Sequence, residues 1–184
     1  MRNLLTALLT TGALLGAAGS TSAATVGTSI TVSATVLKTC SVTATNVTFA
    51  AYTPAGGVQT ATGTISVNCT KGTGFTVALD KGTTAGGTVA QRLMAQSGGA
   101  GTLQYNLCTA TVAASAACNG GTLWGDNSNG TIVQPGTGAG MGAGNVQTLT
   151  VYGGLPDNAF NQGAAVAASG SSAYSDTVAV TVTY

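Results

Sequence analysis

The feature that most constrains this chain is a strict two-residue alternation from Thr25 to Leu37 (TVGTSITVSATVL). One parity carries Val26, Thr28, Ile30, Val32, Ala34 and Val36, and the other is mostly glycine, serine and threonine. Successive side chains of a β-strand point to opposite faces, so this period predicts a strand with one buried face and one wet face. Such a strand needs a sheet. It is either the first strand of its own domain or a strand donated to a neighbouring copy.

The residues before this strand have the features of a secretory signal peptide. Arg2 supplies a positive start, residues 4–18 form an apolar run too short to span a bilayer, and small residues follow. We therefore expect an exported, soluble protein with a signal peptide at 1–23, an N-terminal extension at 24–37 and one domain at 38–184.

Composition narrows the range of functions. The sequence contains no histidine and no glutamate, which removes the commonest general base and most metal-site chemistries. Without Arg2 the charges balance, so nothing attracts nucleic acid or anionic lipid. We expect no catalytic residues, no metal or other cofactor, and no small-molecule substrate. Apart from Arg2, the charged residues are Lys38, Lys71, Lys81, Arg92, Asp80, Asp126, Asp157 and Asp176.

Four cysteines, Cys40, Cys69, Cys108 and Cys118, allow three disulfide pairings in an exported chain. We favour Cys40 with Cys69 and Cys108 with Cys118, because each pair closes a loop between neighbouring strand candidates. The closed loops would contribute roughly 3.6 and 2.8 kcal/mol respectively. Zinc binding is the rival interpretation, but the spacing does not fit a zinc site.

Further strand patterns follow along the chain, and no amphipathic helix is apparent after the signal peptide. Clear alternation occurs at 61–70, 75–80, 102–107, 147–152 and 174–184, and weaker patterns at 39–49, 90–95 and 131–133. Loops are predicted at 108–122, 136–144 and 153–170. Strands at this spacing predict a two-sheet antiparallel sandwich.

Three local motifs have both a functional and a structural interpretation. The glycine-rich stretch 136–144 lacks the helix that a phosphate-binding loop needs, so it is better explained as a connection between strands. DNSNG at 126–130 lacks the closing glutamate of a calcium loop, so a hairpin turn is the better account. Trp124 and nearby tyrosines could form a platform for a glycan, although packing explains them as well.

Several pieces of the sequence, taken in order, resemble the spore coat U domain proteins, which include the Csu-type subunits of archaic chaperone–usher pili. The similarity extends over nearly all of the chain after the signal peptide. The pieces are Cys40 with Phe49 and Tyr52-Thr53-Pro54, then 64–82, 91–94, 103–107, 123–126, 151–156 and 174–184.

The resemblance implies an incomplete immunoglobulin-like antiparallel β-sandwich of the pilin type, with an N-terminal donor strand. Its partners would be other copies or related subunits, a periplasmic chaperone and an outer-membrane usher, and it would reach a cell-surface pilus through the periplasm. The donor residues would be Val26, Thr28, Ile30, Val32 and Ala34. The edge of the acceptor groove would carry Val178, Val180, Val182 and Tyr184.

Two alternatives stay open at this point. The first is a spore coat or envelope protein with the same sandwich, completed by its own N-terminal strand. The second is a carbohydrate-binding module that uses Trp124.

Overall fold

A computed structural model describes residues 22–113, 118, 121–164, 170 and 172–184. The chain divides into two units, Met1–Thr35 and Val36–Tyr184. Most of the predicted signal peptide lies outside the described residues. Residues 22–35 of the first unit contain no strand, and all of their side chains are exposed. The alternating segment therefore has strand periodicity without strand pairing.

The second unit is built almost entirely from antiparallel strands. In its described part the strands are β1 (Cys40–Ala44), β2 (Gln59–Cys69), β3 (Gly74–Leu79), β4 (Arg92–Gln96), β5 (Thr102–Cys108), β6 (Gln134–Thr137), β7 (Gln147–Leu155), β8 (Tyr174–Ser175) and β9 (Val180–Thr183). A 3-10 helix at Ala143–Asn145 and a single-turn helix α1 at Ala159–Gln162 complete the described elements.

The strands form two sheets. One has six strands in the order β1-β2-β7-β5-β4-β8, and the other has three in the order β6-β3-β9. Every pairing between these strands is antiparallel. The predicted all-β class and antiparallel sandwich are confirmed.

The core lies between the inward faces of the two sheets. Ile65, Val67 and Cys69 alternate along β2 and are at most 2% exposed, and Phe75, Val77 and Leu79 do the same along β3 at no more than 4%. This is the two-residue period that the sequence predicted for both strands. Trp124 fills the middle of the core, where its indole Nε1 donates to the Val77 carbonyl at 2.9 Å.

Both favoured disulfides are present. Cys40–Cys69 joins directly opposed residues of β1 and β2, and Cys108–Cys118 closes a loop that begins at the end of β5. The described part of the chain contains no free cysteine.

The predicted last strand, Tyr174 to Tyr184, is not one strand. Its beginning, β8, pairs with β4 in the six-stranded sheet, whereas β9 pairs with β3 in the other sheet. Residues 176–179 cross between the sheets, so the chain changes partners halfway along an unbroken alternating pattern.

The structure also corrects four smaller expectations. β7 continues to Leu155 because β2 offers partners as far as Gln59, so long-range pairing overrides the two glycines of 153–154. Asn158 caps α1 by accepting a hydrogen bond from the Asn161 amide, which places a helix inside the predicted 153–170 loop. β6 takes the start of the glycine-rich stretch, and the predicted strand 131–133 is reduced to one bridge at Ile132.

Candidate functional site

The sandwich contains an open, largely apolar groove of about 920 Å³. Its floor is formed by inward side chains of both sheets: Ile65, Leu79, Leu103, Leu107, Val151 and Leu155. One wall is the run Ala44–Tyr52, here called wall one, and the other is the run from Ser172 to Val180, here called wall two. Each wall contributes residues that lie outside the regular strands.

Wall one continues the path of β1 without a strand neighbour of its own. Val47 and Phe49 are half-buried, whereas residues 46, 48 and 50 are exposed, so the wall keeps strand-like alternation. Two glycines allow its close approach. A Cβ on Gly63 would lie 2.8 Å from a Val47 methyl, and one on Gly153 would lie 2.6 Å from the other Val47 methyl.

An aspartate anchors the far end of wall one. The Tyr52 hydroxyl donates to Asp157 Oδ1 at 2.6 Å, and the backbone amide of Gly57 donates to Oδ2 at 2.8 Å. These hydrogen bonds hold the pKa of the Asp157 carboxyl below its usual value. Burial, together with the Asp157 hydrogen bond, raises the pKa of Tyr52 to about 12.

Wall two contains the crossover between the sheets. Tyr174, Asp176, Val178 and Val180 are half-buried, and the residues between them are exposed. Asp176 is the only charged side chain among the described residues that line the groove. Its carboxylate is already paired by hydrogen bonds within the domain. The charge therefore does not require a polar partner from a strand that enters the groove, and the rest of the lining can accommodate apolar side chains.

The Asp176 carboxylate accepts five hydrogen bonds. Oδ1 accepts from the backbone amides and hydroxyls of Thr83 and Thr84 at 2.9 to 3.1 Å, and Oδ2 accepts from the Tyr105 hydroxyl at 2.6 Å. Burial alone would raise the pKa of Asp176, but these hydrogen bonds outweigh it and hold the pKa below its usual value. Burial and the Asp176 carboxylate both raise the pKa of Tyr105.

A buried arginine supports the loop next to wall two. Arg92 is 1% exposed, and its Nε donates to the Asp80 carbonyl at 2.7 Å. Its Nη2 donates to two further carbonyls in the core, at 3.1 and 2.9 Å. Asp80 in turn accepts from the amide of Ala179, so the loop after β3 is tied to the end of the crossover.

Both walls have unpaired backbone groups. Within the described part of the chain, the backbones of residues 46–51 and 176–178 make no hydrogen bond. Unpaired backbone amides and carbonyls along an accessible edge are a template for pairing with another strand. An apolar trough flanked by unpaired backbone is suited to accept an extended strand with apolar side chains at every second position.

The structure brings together only part of the predicted acceptor edge. Val178 and Val180 line the groove. Val182 packs against the core from β9 but is not among the lining residues, and Tyr184 is 55% exposed at the end of the chain. Sequence analysis missed wall one, although the alternation of Val47 and Phe49 was visible.

The predicted donor residues lie in the first unit, where they are exposed. Val26 is 98% exposed, Ile30 84% and Val32 85%. Thr28 and Ala34 are exposed as well. Whether these residues enter a groove is not tested by the isolated chain, so their role as donors stays a prediction.

The interpretation of Trp124 as a glycan platform is wrong. Its side chain is 1% exposed in the core, so neither face of the indole is available for stacking on a sugar.

The four disulfide-bonded cysteines lie outside the groove lining.

The described residues contain no cluster of three or more side chains suited to hold a metal ion. Among them there is also no helix with the length and apolar character required to cross a membrane.

The two sheets and the groove define an all-β protein with an immunoglobulin-like antiparallel sandwich of the pilin type, open along one side. The chain belongs to the spore coat protein U domain family, whose model matches residues 26–181. That match begins within the predicted N-terminal extension. No curated protein matches the chain.

Among solved structures, the fold is similar to a chain in the crystal structure of the CsuC–CsuE chaperone–tip adhesion subunit pre-assembly complex from archaic chaperone–usher Csu pili of Acinetobacter baumannii. The TM-score is 0.52 and the sequence identity 20%. The match covers 82% of this chain and 41% of that chain. At this identity, the similarity supports the fold.

Proposed function

We propose that this protein is a structural subunit of a cell-surface pilus that is assembled by donor-strand exchange. The N-terminal segment of one copy, with Val26, Thr28, Ile30, Val32 and Ala34 facing inward, would fill the groove of the next copy. The observation that carries this proposal is the groove itself, because both of its walls leave backbone groups unpaired. The same chain supplies an unpaired segment with strand periodicity.

The lengths of donor and groove agree. Residues 26–34 make nine positions, as do residues 44–52 of wall one and 172–180 of wall two. Nine residues of extended chain span about 30 Å. One donor strand would therefore run the full length of both walls.

Hydrophobic burial would favour this joint. Val26, Ile30 and Val32 are nearly fully exposed in the isolated chain. Burying a large aliphatic side chain contributes about 1.5 to 3 kcal/mol. Backbone hydrogen bonds to both walls would add to these three contributions, so slow dissociation of the joint is expected.

By analogy with the similar complex, which contains a chaperone and a tip adhesion subunit, the partners would be a chaperone and other pilus subunits. An open apolar groove is an aggregation hazard, so a periplasmic chaperone would cover it before assembly and an outer-membrane usher would organise the exchange. Under this proposal, the protein would pass through the periplasm during export and reach the cell surface after assembly.

Deleting residues 24–36 tests the proposal. The shortened chain should form no fibres with copies of itself, because it has no strand to donate, while its own groove should still bind a peptide with the sequence of residues 24–37. The matched control replaces Ser29, Thr31 and Ser33 with alanine, which changes only the outward face and should preserve fibres. Fibres from the shortened chain would contradict donor-strand exchange.

The second candidate is a coat or envelope protein whose groove is filled by its own N-terminal strand. Membership of the spore coat protein U domain family favours it. This candidate predicts that the chain from residue 24 refolds as a stable monomer without a chaperone, with the amides of 26–34 protected from hydrogen exchange. The pilus proposal predicts unprotected amides in the monomer and their protection in the fibre.

A further inference from the structure

The crossover in wall two contains a contact between residues that are far apart in the sequence. Asp176 meets Thr83 and Thr84, which lie 93 and 92 positions away in the chain. All five hydrogen bonds to its carboxylate come from outside its own segment. No other side chain of the crossover makes a comparable set of bonds within the described part of the chain.

The loop that receives Asp176 is shaped for a carboxylate. Gly82 has a φ of +83°, a conformation that residues with a Cβ rarely adopt. A Cβ at this position would also overlap the Asp176 carboxylate group. Glycine is therefore required at position 82 for two reasons: the turn has a positive φ, and a side chain would occupy the space of the Asp176 carboxylate.

Three further groups with charge or a titratable proton surround this contact. Tyr105 approaches from β5, Arg92 from β4 and Asp80 from the end of β3. Tyr105 also lines the floor of the groove, so its bond to Asp176 joins the floor directly to wall two.

Wall two faces the groove with unpaired backbone at the same place. The backbone of residues 176–178 makes no hydrogen bond in the described chain, so no sheet pairing holds this part of the wall. What fixes it is the Asp176 carboxylate on one side and the bonds between Asp80 and Ala179 on the other.

We propose that Asp176 is a positioning residue that holds wall two in the strand-accepting geometry, and that losing its carboxylate weakens donor-strand binding. This inference rests on the proposed function, since it names the residue that keeps the same groove ready. Asp176 acts through the backbone of 176–178, which would pair with the incoming strand.

The test measures how tightly a fluorescent peptide with the sequence of residues 24–37 binds to Asp176 variants of the full chain from residue 24. Asp176→Ala removes all five bonds and should weaken peptide binding at least tenfold at neutral pH, since hydrogen bonds to charged groups are strong. Asp176→Asn keeps an oxygen toward Thr83 and Thr84, so it should restore part of the affinity. Tyr105→Phe removes only the hydrogen bond from the Tyr105 hydroxyl, and this variant replaces Asp176→Ala in the test if the alanine variant folds poorly.

A matched pair of glycine variants separates positioning from general destabilisation. Gly82→Ala introduces strain at positive φ and also displaces Asp176, whereas Gly72→Ala, at a φ of +78° with nothing within 4 Å of the new Cβ, introduces the strain alone. Gly82→Ala should weaken peptide binding, and Gly72→Ala should lower the melting temperature without changing affinity. A purely structural role for Asp176 predicts the same affinity for both variants.

A pH profile gives an independent measure. The hydrogen bonds to Asp176 favour its ionised form, so its contribution is present at neutral pH and is lost as the pH falls through its lowered pKa. Peptide binding to the unmodified chain should weaken in acid, and Asp176→Asn should lack this acid-dependent weakening.

Unchanged affinity in the Asp176→Ala and Gly82→Ala variants overturns this inference and leaves the proposed function intact. Failure of the unmodified chain to bind the peptide overturns both.

Discussion

Replacing Ile30 with alanine is the sharpest test of the proposal that one face of the N-terminal segment enters the groove. The side chain is 84% exposed in the isolated chain, so nearly all of its apolar surface remains to be buried on docking. The substitution removes three carbon atoms at about 0.8 kcal/mol each, and scaling by the exposed fraction gives a loss of about 2 kcal/mol. That corresponds to about 30-fold weaker binding.

The opposite face provides the control. Thr31 has the other parity and would point away from the groove. Thr31→Ala should change the affinity by less than about threefold, since substitutions on a wet face are usually within about 0.5 kcal/mol.

The assay is the dissociation rate of labelled peptides that carry either substitution, released from the full chain from residue 24 by excess unlabelled peptide. Differences in affinity between related complexes appear mainly in dissociation, so the Ile30→Ala peptide should leave about 30 times faster than the original. Equal rates for the two substituted peptides would refute the assignment of the inward face. A larger effect of Thr31→Ala would reverse it.

Three further predictions concern the domain itself. Removing the Cys40–Cys69 disulfide by serine substitution should lower the free energy of unfolding by roughly 3.6 kcal/mol or more, measured by urea denaturation, because it closes the longer loop and Cys69 is buried. Because the pKa of Tyr52 is raised to about 12, its contribution to stability should be complete below pH 10 and lost as the pH rises toward 12. Tyrosinate absorbance would report the ionisation, and the melting temperature would report the loss of stability. Tyr52→Phe should abolish this pH dependence. Gly153→Ala should displace wall one and reduce peptide binding, whereas Gly144→Ala, with open space around its Cβ, should not.

The sequence predicted the inward residues of the strands better than it predicted their pairing. Along 174–182, residues 174, 176, 178, 180 and 182 are all half-buried, as the alternation required. The break between β8 and β9 was not predictable from this stretch, because the strand partners and the contacts of Asp176 with Thr83 and Thr84 lie far away in the sequence. Local periodicity reports which face is buried and carries no information about which strand lies alongside.

Wall one illustrates the same limit. The alternating pattern predicted a strand over 39–49, but β1 ends at Ala44, where its pairing with β2 stops at Ile65. The remaining residues keep the side-chain order of a strand and lack a partner. The two glycines under Val47 and Phe49 could have suggested a close approach of this segment, but only the folded chain shows what they face.

Three stretches therefore have the side-chain pattern of a strand without backbone pairing in the described structure: residues 25–35, 46–51 and 176–178. Side chains that alternate at two-residue spacing are typical of a strand within a sheet, and a sheet formed with another molecule would provide the missing partner. Two of the stretches flank one apolar groove, and the third contains residues 26–34, which match the nine positions of each wall. Under the proposed function, a single added strand would pair both walls and bury the exposed valines and isoleucine together, so one docking event would account for all three irregularities.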